Sequence, residues 1–259
     1  MRHDRMIPLF GILILLGGAA TGSAQGTADS GQAWLTGIDA AERLPYSYAE
    51  IVETITTSSG NERELTMRAW TAANGDLELM AYTDPARVRG DKILLRDGGD
   101  NIWYYMHRRD VTRHFAGHTR RQSAMGSDFS YEDLSTGDMT KDYTARFRTF
   151  EVLDSTQCVK LMCVPTESGP SYDSLLLWAS TADSLTRRIE YYDGDGLLKT
   201  LNLDDFQFVD GRKLAMRWEM VNDREGSRTV MTTTSMDLKT EPSPAMFTQR
   251  ELSRPLTDK

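Results

Sequence analysis

Residues able to do chemistry are concentrated in one stretch of the chain. Arg108, Arg109, Arg113, Arg120 and Arg121 interleave with His107, His114 and His118 in an otherwise acidic sequence of 259 residues and formal charge -8. Guanidinium forks match phosphate geometry, so the stretch suits an anionic headgroup, a phosphate or an acidic partner surface; the alternative is a solvated strand and loop. His114 and His118 have the helical spacing of a metal pair but lack the HExxH glutamate, and Gly117 with β-branched neighbours opposes a helix. In Asp193-Gly194-Asp195-Gly196 a calcium loop would need a bidentate glutamate where Asp204 stands, so a hairpin turn is the better reading. Cys158 and Cys163 lie five positions apart in a strand-like segment, which separates their side chains and favours two buried thiols over a disulfide. The sequence offers no GxSxG elbow, phosphate-binding glycine loop or nucleophile with a base. We therefore expect no enzyme, no metal and no cofactor.

The elements around these residues indicate export. Arg2 and Arg5 precede an apolar run, Met6–Leu16, and small residues ending in Gly22-Ser23-Ala24, the pattern of a secretory signal peptide over residues 1–24. The run is shorter than the roughly 20 residues that a membrane-crossing helix needs. Removing Arg2, Arg5 and Asp4 makes the remaining chain still more acidic, which disfavours nucleic acid. Residues 25–259 lack a linker or an internal repeat and read as one domain in the periplasm.

Ser30 is placed to cap a helix from Gly31 to Leu44 that Pro45 ends, with Trp34, Ile38 and Ala41 on one face. The hydrophobic period then becomes two. Strands follow in Tyr48–Ile55, Leu65–Trp70, Leu77–Tyr82, Ile93–Leu95 and Ile102–Met106, and again in Ala145–Val152, Cys158–Val164, Ser174–Ala179, Leu185–Tyr192, Leu197–Leu203, Leu214–Val221 and Thr229–Leu238. Turn residues between them include Ser58-Ser59-Gly60-Asn61, Asp97-Gly98-Gly99-Asp100, Ser168-Gly169-Pro170 and Asp210-Gly211. Such spacing predicts an antiparallel meander that closes into a barrel or folds over itself. Ser243-Pro244 predicts a helical turn near the C-terminus.

Ile93-Leu94-Leu95-Arg96, Trp103-Tyr104-Tyr105, the basic stretch and the string Met125-Gly126-Ser127-Asp128-Phe129-Ser130-Tyr131-Glu132-Asp133-Leu134 resemble the outer-membrane lipoprotein-sorting, LolA-like family, in a divergent branch. Tyr191-Tyr192-Asp193 and Lys199-Thr200 extend the resemblance. It implies a mainly β fold with a few helices: an antiparallel sheet curled into an incomplete, half-open β-barrel, LolA/LolB-like, with helices covering the opening. The function it implies is a carrier or chaperone sheltering acyl chains of lipids or lipoproteins in an apolar cavity. The alternative is an accessory protein of an inner-membrane transporter or exporter that carries no lipid.

The apolar set assigned to the cavity is Trp70, Met80, Trp103, Tyr105, Phe129, Trp178, Met216, Trp218 and Met220. Arg96, Arg108, Arg109, Arg113, Asp128 and Ser130 are assigned to a lid or to headgroup and partner contact. Ser130 with Asp133 has capping-box spacing, which predicts a short helix with Phe129 as its staple.

Overall fold

The protein is described by a computed structural model covering residues 24–115, 117–135, 137–166 and 172–255. The segment before Ala24, read above as a signal peptide, and the turn predicted at Ser168-Gly169-Pro170 lie outside the described residues. Among those residues, helix α1 (Ala24–Glu42) precedes strands β1 (Ser47–Thr56), β2 (Glu62–Ala72), β3 (Leu77–Asp84), β4 (Lys92–Arg96), β5 (Asn101–Met106) and β6 (Val111–Phe115). A long connection containing the short helix α2 (Met139–Asp142) leads to β7 (Tyr143–Leu153), β8 (Thr156–Pro165), β9 (Ser174–Ser180), β10 (Thr186–Asp193), β11 (Gly196–Val209), β12 (Arg212–Asn222) and β13 (Ser227–Asp237). A C-terminal segment ends in helix α3 (Gln249–Leu252). No described helix is long and apolar enough to cross a membrane.

The strands form one antiparallel sheet in the order β6-β5-β4-β3-β2-β1-β13-β12-β11-β10-β9-β8-β7. Sequence neighbours pair throughout each half, and β1 joins β13 to fuse the halves. The sheet stays open because β6 and β7, consecutive in the chain, are its two edges. Alternation puts the turns β1–β2, β3–β4, β5–β6 and β12–β13 at one end, called here the far end. Turns β2–β3, β4–β5, β9–β10 and β11–β12 lie at the near end.

The sheet buries apolar groups on both faces. Met67, Tyr82, Ile93, Leu95 and Ile102 belong to an inner core that also takes Leu35 and Ile38 of α1. Alternate residues Trp70, Leu79, Leu94 and Tyr105 form an outer core covered by Phe247 and Leu252 of the C-terminal segment. Lys92, only 3 % exposed, secures that segment by donating from Nζ to the carbonyls of Glu251 (3.0 Å) and Arg254 (2.6 Å).

Helix α1 begins before the position read from the sequence, so Ser30 lies inside it. A serine-glycine pair resembles a helix start locally, but here Gly31 permits close packing. A Cβ on Gly31 would fall 2.5 Å from Phe147 N and 2.6 Å from Arg146 Cα on edge strand β7. Gln32 Oε1 accepts from Ala145 N at 2.9 Å, satisfying an edge amide that has no strand partner on that side. Cys158 and Cys163 are free and buried on β8, where the strand rise separates them by roughly 16 Å.

Candidate functional site

The β6–β7 connection folds inward and narrows the open side of the sheet. Its middle doubles back on itself: Ser123 and Ser130 form a β-bridge, and Ala124 N donates to Phe129 O at 2.8 Å. This finger starts at the near end, where Arg120 Nη1 donates to Gly99 O (3.2 Å) and to Asp100 Oδ1 (3.1 Å). It ends there too, with Ser135 Oγ donating to Gly98 O at 2.8 Å. Its tip reaches the far end. There the carbonyls of Met125 and Gly126 accept from Arg63 Nη2 at 2.6 and 2.7 Å. Gly126 is required at this turn, since its φ is 75° and a Cβ would meet Arg63 Nη2 at 2.5 Å.

Polar anchors fix the finger across the inner face. Asp128 accepts from Ser227 Oγ (2.5 Å) and Thr229 Oγ1 (2.7 Å) on β13, while its own amide donates to Thr229 Oγ1 at 2.9 Å. Asp133 accepts from Ser130 N (2.6 Å), Ser130 Oγ (2.7 Å) and Tyr172 OH (2.7 Å) and pairs with Lys199 of β11. That ion pair is buried, with side chains 6 % and 2 % exposed. The predicted capping box is therefore present, leading into a 3₁₀ turn at Glu132–Leu134 rather than a longer helix. Glu53 of β1 lies beneath the tip, 1 % exposed, and burial pushes its carboxyl group up to about 7 despite the nearby Ser127 hydroxyl and Arg63.

Between the finger, α1 and the inner face lies a cavity of about 360 Å³. Its walls are apolar side chains at alternate strand positions, including Ile51, Met80, Leu201, Leu203, Trp218 and Met231, with Phe129 and Leu134 contributed by the finger. Arg43, Asn74, Gly98 and Asp100 line it at the near end. Two acids in its lining bind their protons more tightly than usual: burial pushes Glu42 up to about 7, although Thr186 N donates to its Oε1 at 2.6 Å, and pushes Asp142 up to about 6. The lining arginines are already paired, Arg43 with Asp39 and Asp138, and Arg120 with Asp100. An apolar chain entering this cavity would meet mainly carbon surface. At the far end, a second cleft of about 440 Å³ is polar, lined by Ser58, Ser127, Asp128, Lys199, Asn222 and Ser227 among others.

The structure brings Met80, Phe129 and Trp218 together at the apolar cavity, and places Met220 in the adjoining inner core. Met216 is buried outside both apolar clusters. Trp70, Trp103 and Tyr105 instead face the outer core. Strand register requires this: Trp70 pairs with Leu79, so it shares the face opposite Met80. Trp178 is buried away from the cavity, donating from Nε1 to Glu151 under the Lys160 ammonium, 4.3 Å from the ring centroid. Asp128 and Ser130 anchor the finger and line the polar cleft. Arg96 ends β4 at the near end, whereas Arg108, Arg109 and Arg113 lie on the exposed β5–β6 hairpin. His118 side-chain placement lies outside the described residues; His114 stacks on Trp103 with centroids 4.9 Å apart. Among the described residues there is no cluster of three or more potential metal-binding His, Cys, Asp or Glu side chains.

Lys199, Tyr172, Arg63 and Glu53 were missing from the sequence-derived site. Glu53 had a readable signal, because it interrupts the apolar inner positions Ala49, Ile51 and Ile55. The other three are recognisable only once the finger brings distant strands together.

The open antiparallel sheet with few helices has the fold of LolA-like proteins. It aligns over 88% of this chain with all of an outer-membrane lipoprotein-sorting protein domain structure from Vibrio parahaemolyticus, at TM-score 0.81 and 24% identity. A LolA superfamily protein from Nitrosomonas europaea aligns over 85% of this chain and 98% of its own, at TM-score 0.71 and 20% identity. More particularly, the chain belongs to a family whose model, described as "Uncharacterized protein", matches residues 74–254. A DUF1329 protein structure from Desulfovibrio piger aligns over 87% of this chain and 99% of its own, at TM-score 0.82 and 24% identity. No curated protein matches it in sequence.

Proposed function

We propose that the protein is a non-enzymatic periplasmic carrier or chaperone that shelters acyl chains of a lipid or lipoprotein. The observation that carries this reading is the cavity of about 360 Å³ walled by Ile51, Leu201, Leu203 and Met231 and completed by Phe129. Each methylene moved from water to such walls gains about 0.8 kcal/mol, so a short length of chain supplies substantial affinity. Methionines at Met80 and Met231 adapt to a flexible chain. The similarity to a lipoprotein-sorting domain supports the same class of cargo.

The test is native mass spectrometry with lipid extraction of protein purified from periplasm without detergent, followed by uptake of a fluorescent acyl probe. Ala69→Phe, which adds volume at a cavity-lining position, should abolish uptake while the chain remains folded. Trp218→Gln should reduce uptake, whereas Trp103→Gln on the outer face should not. Lipid-free protein that takes up no acyl probe would sink the reading.

A further inference from the structure

The β3–β4 and β5–β6 turns are built as one rigid, basic platform. Buried Asp91 joins them: its Oδ1 accepts from His107 N at 2.8 Å and its Oδ2 from Tyr104 OH at 2.7 Å. Gly90, with φ 89°, packs so closely that a Cβ would be 2.7 Å from the His107 ring. From this base project exposed Arg87 and Arg89 on one turn, Arg108 and Arg109 on the other, and exposed Arg113 beside them on β6. The acids on these turns other than Asp91 are engaged, Asp84 with Arg89 and Asp110 with Tyr105 OH at 3.0 Å. Among the described residues Arg87, Arg108, Arg109 and Arg113 make no ion pair. Val111, 43 % exposed, adds an apolar group next to the hairpin tip.

We infer that this platform docks the protein on an anionic bilayer surface. A net-acidic chain that presents unpaired guanidinium groups on one protruding corner is complementary to a plane of lipid phosphates, each able to accept from an arginine fork. The form of the corner favours lipid over a protein partner. It is two exposed turns whose outward side chains are arginines and a valine rather than the aromatic anchors that dominate protein interfaces. It also lies at the far end, leaving the polar near-end lining of the cavity clear of the bilayer. The inference concerns a different surface from the acyl-chain site and does not depend on it.

Sedimentation of the protein with vesicles tests it. Binding is expected to equimolar phosphatidylcholine–phosphatidylglycerol vesicles at low salt, to be lost at high salt, and to be absent with phosphatidylcholine alone. Arg108→Glu/Arg109→Glu/Arg113→Glu should lower partitioning by more than about a hundredfold, since losing each arginine's charge costs about fivefold and each glutamate adds repulsion, at an unchanged melting temperature. Should that variant misfold, Arg108→Gln/Arg109→Gln should show about a twentyfold loss. Absence of wild-type binding to the anionic vesicles, equal binding to the neutral ones, or full binding by a folded variant would each overturn the inference; in the first case an acidic protein becomes the partner to seek. No acyl probe enters this assay, so its outcome is separate from that of cavity uptake.

Discussion

Lys199 and Asp133 lie on segments 66 residues apart and meet where water is excluded. Two ions in such a place offset each other only while both remain. Removing one leaves a buried charge uncompensated, at a cost of about 3–5 kcal/mol. Asp133→Ala should therefore destabilise the fold by about that amount in urea denaturation; a loss below about 1 kcal/mol would show that the pair does not hold the finger. Asp128→Ala strands Ser227 Oγ and Thr229 Oγ1 and should cost about 2 kcal/mol. A variant that kept its melting temperature yet lost acyl-probe uptake would instead place Asp128 in ligand contact.

Glu53 gives a different residue-scale signature. Its folded pKa of about 7 exceeds the ordinary 4.5, so the native state holds its proton more tightly than the unfolded chain. Its contribution to stability is fully present below about 4.5, declines as pH rises toward about 7, and stays lost above that. Glu53→Gln should flatten this part of the melting-temperature profile between pH 5 and pH 8, raising stability most at the alkaline side. An unchanged slope would show that Glu53 is ionised in the folded protein.

At the scale of elements, Gly31 determines how α1 sits on β7. Gly31→Ala puts a methyl group against backbone atoms of Phe147 and Arg146, which cannot rotate aside. The helix must lift, loosening Leu35 and Ile38 and the Gln32 contact to Ala145 N. We expect a loss of about 1–3 kcal/mol and faster hydrogen exchange at the Ala145 amide. Unchanged exchange there would mean that α1 accommodates the methyl without moving.

The strands were legible because period-two alternation and Gly/Asp turns are local signals, as in Leu214–Met220 and at Asp210-Gly211. The direction each strand faced was less legible. Strands β2–β5 bury both faces, so Trp70, Trp103 and Tyr105 look like cavity residues although their register turns them outward. Their cover is Phe247 and Leu252, far along the chain; the turn at Ser243-Pro244 was readable locally, but its packing against the sheet was not. The Ser130–Asp133 box was readable from its spacing; its buried partner Lys199 was not.

At the scale of the whole molecule, one sheet separates two apolar layers with different tasks. The inner layer leaves a cavity, and the outer layer is closed by the C-terminal segment. Phe247 and Leu252 are each 1 % exposed, and burying two such side chains is worth about 3–6 kcal/mol. Deleting residues 244–259 removes that burial and strips Lys92 of both carbonyl partners. The deletion should lower the melting temperature, raise binding of a hydrophobic dye, and drive self-association through the uncovered face of Trp70, Leu79 and Leu94. Filling the inner cavity with Ala69→Phe should leave dye binding and association state unchanged, since that position lines the opposite layer. A truncated chain that kept the full-length association state and melting temperature would show that the outer layer is stable without its strap. The two layers would then differ in what they bind, with the cover contributing little to stability.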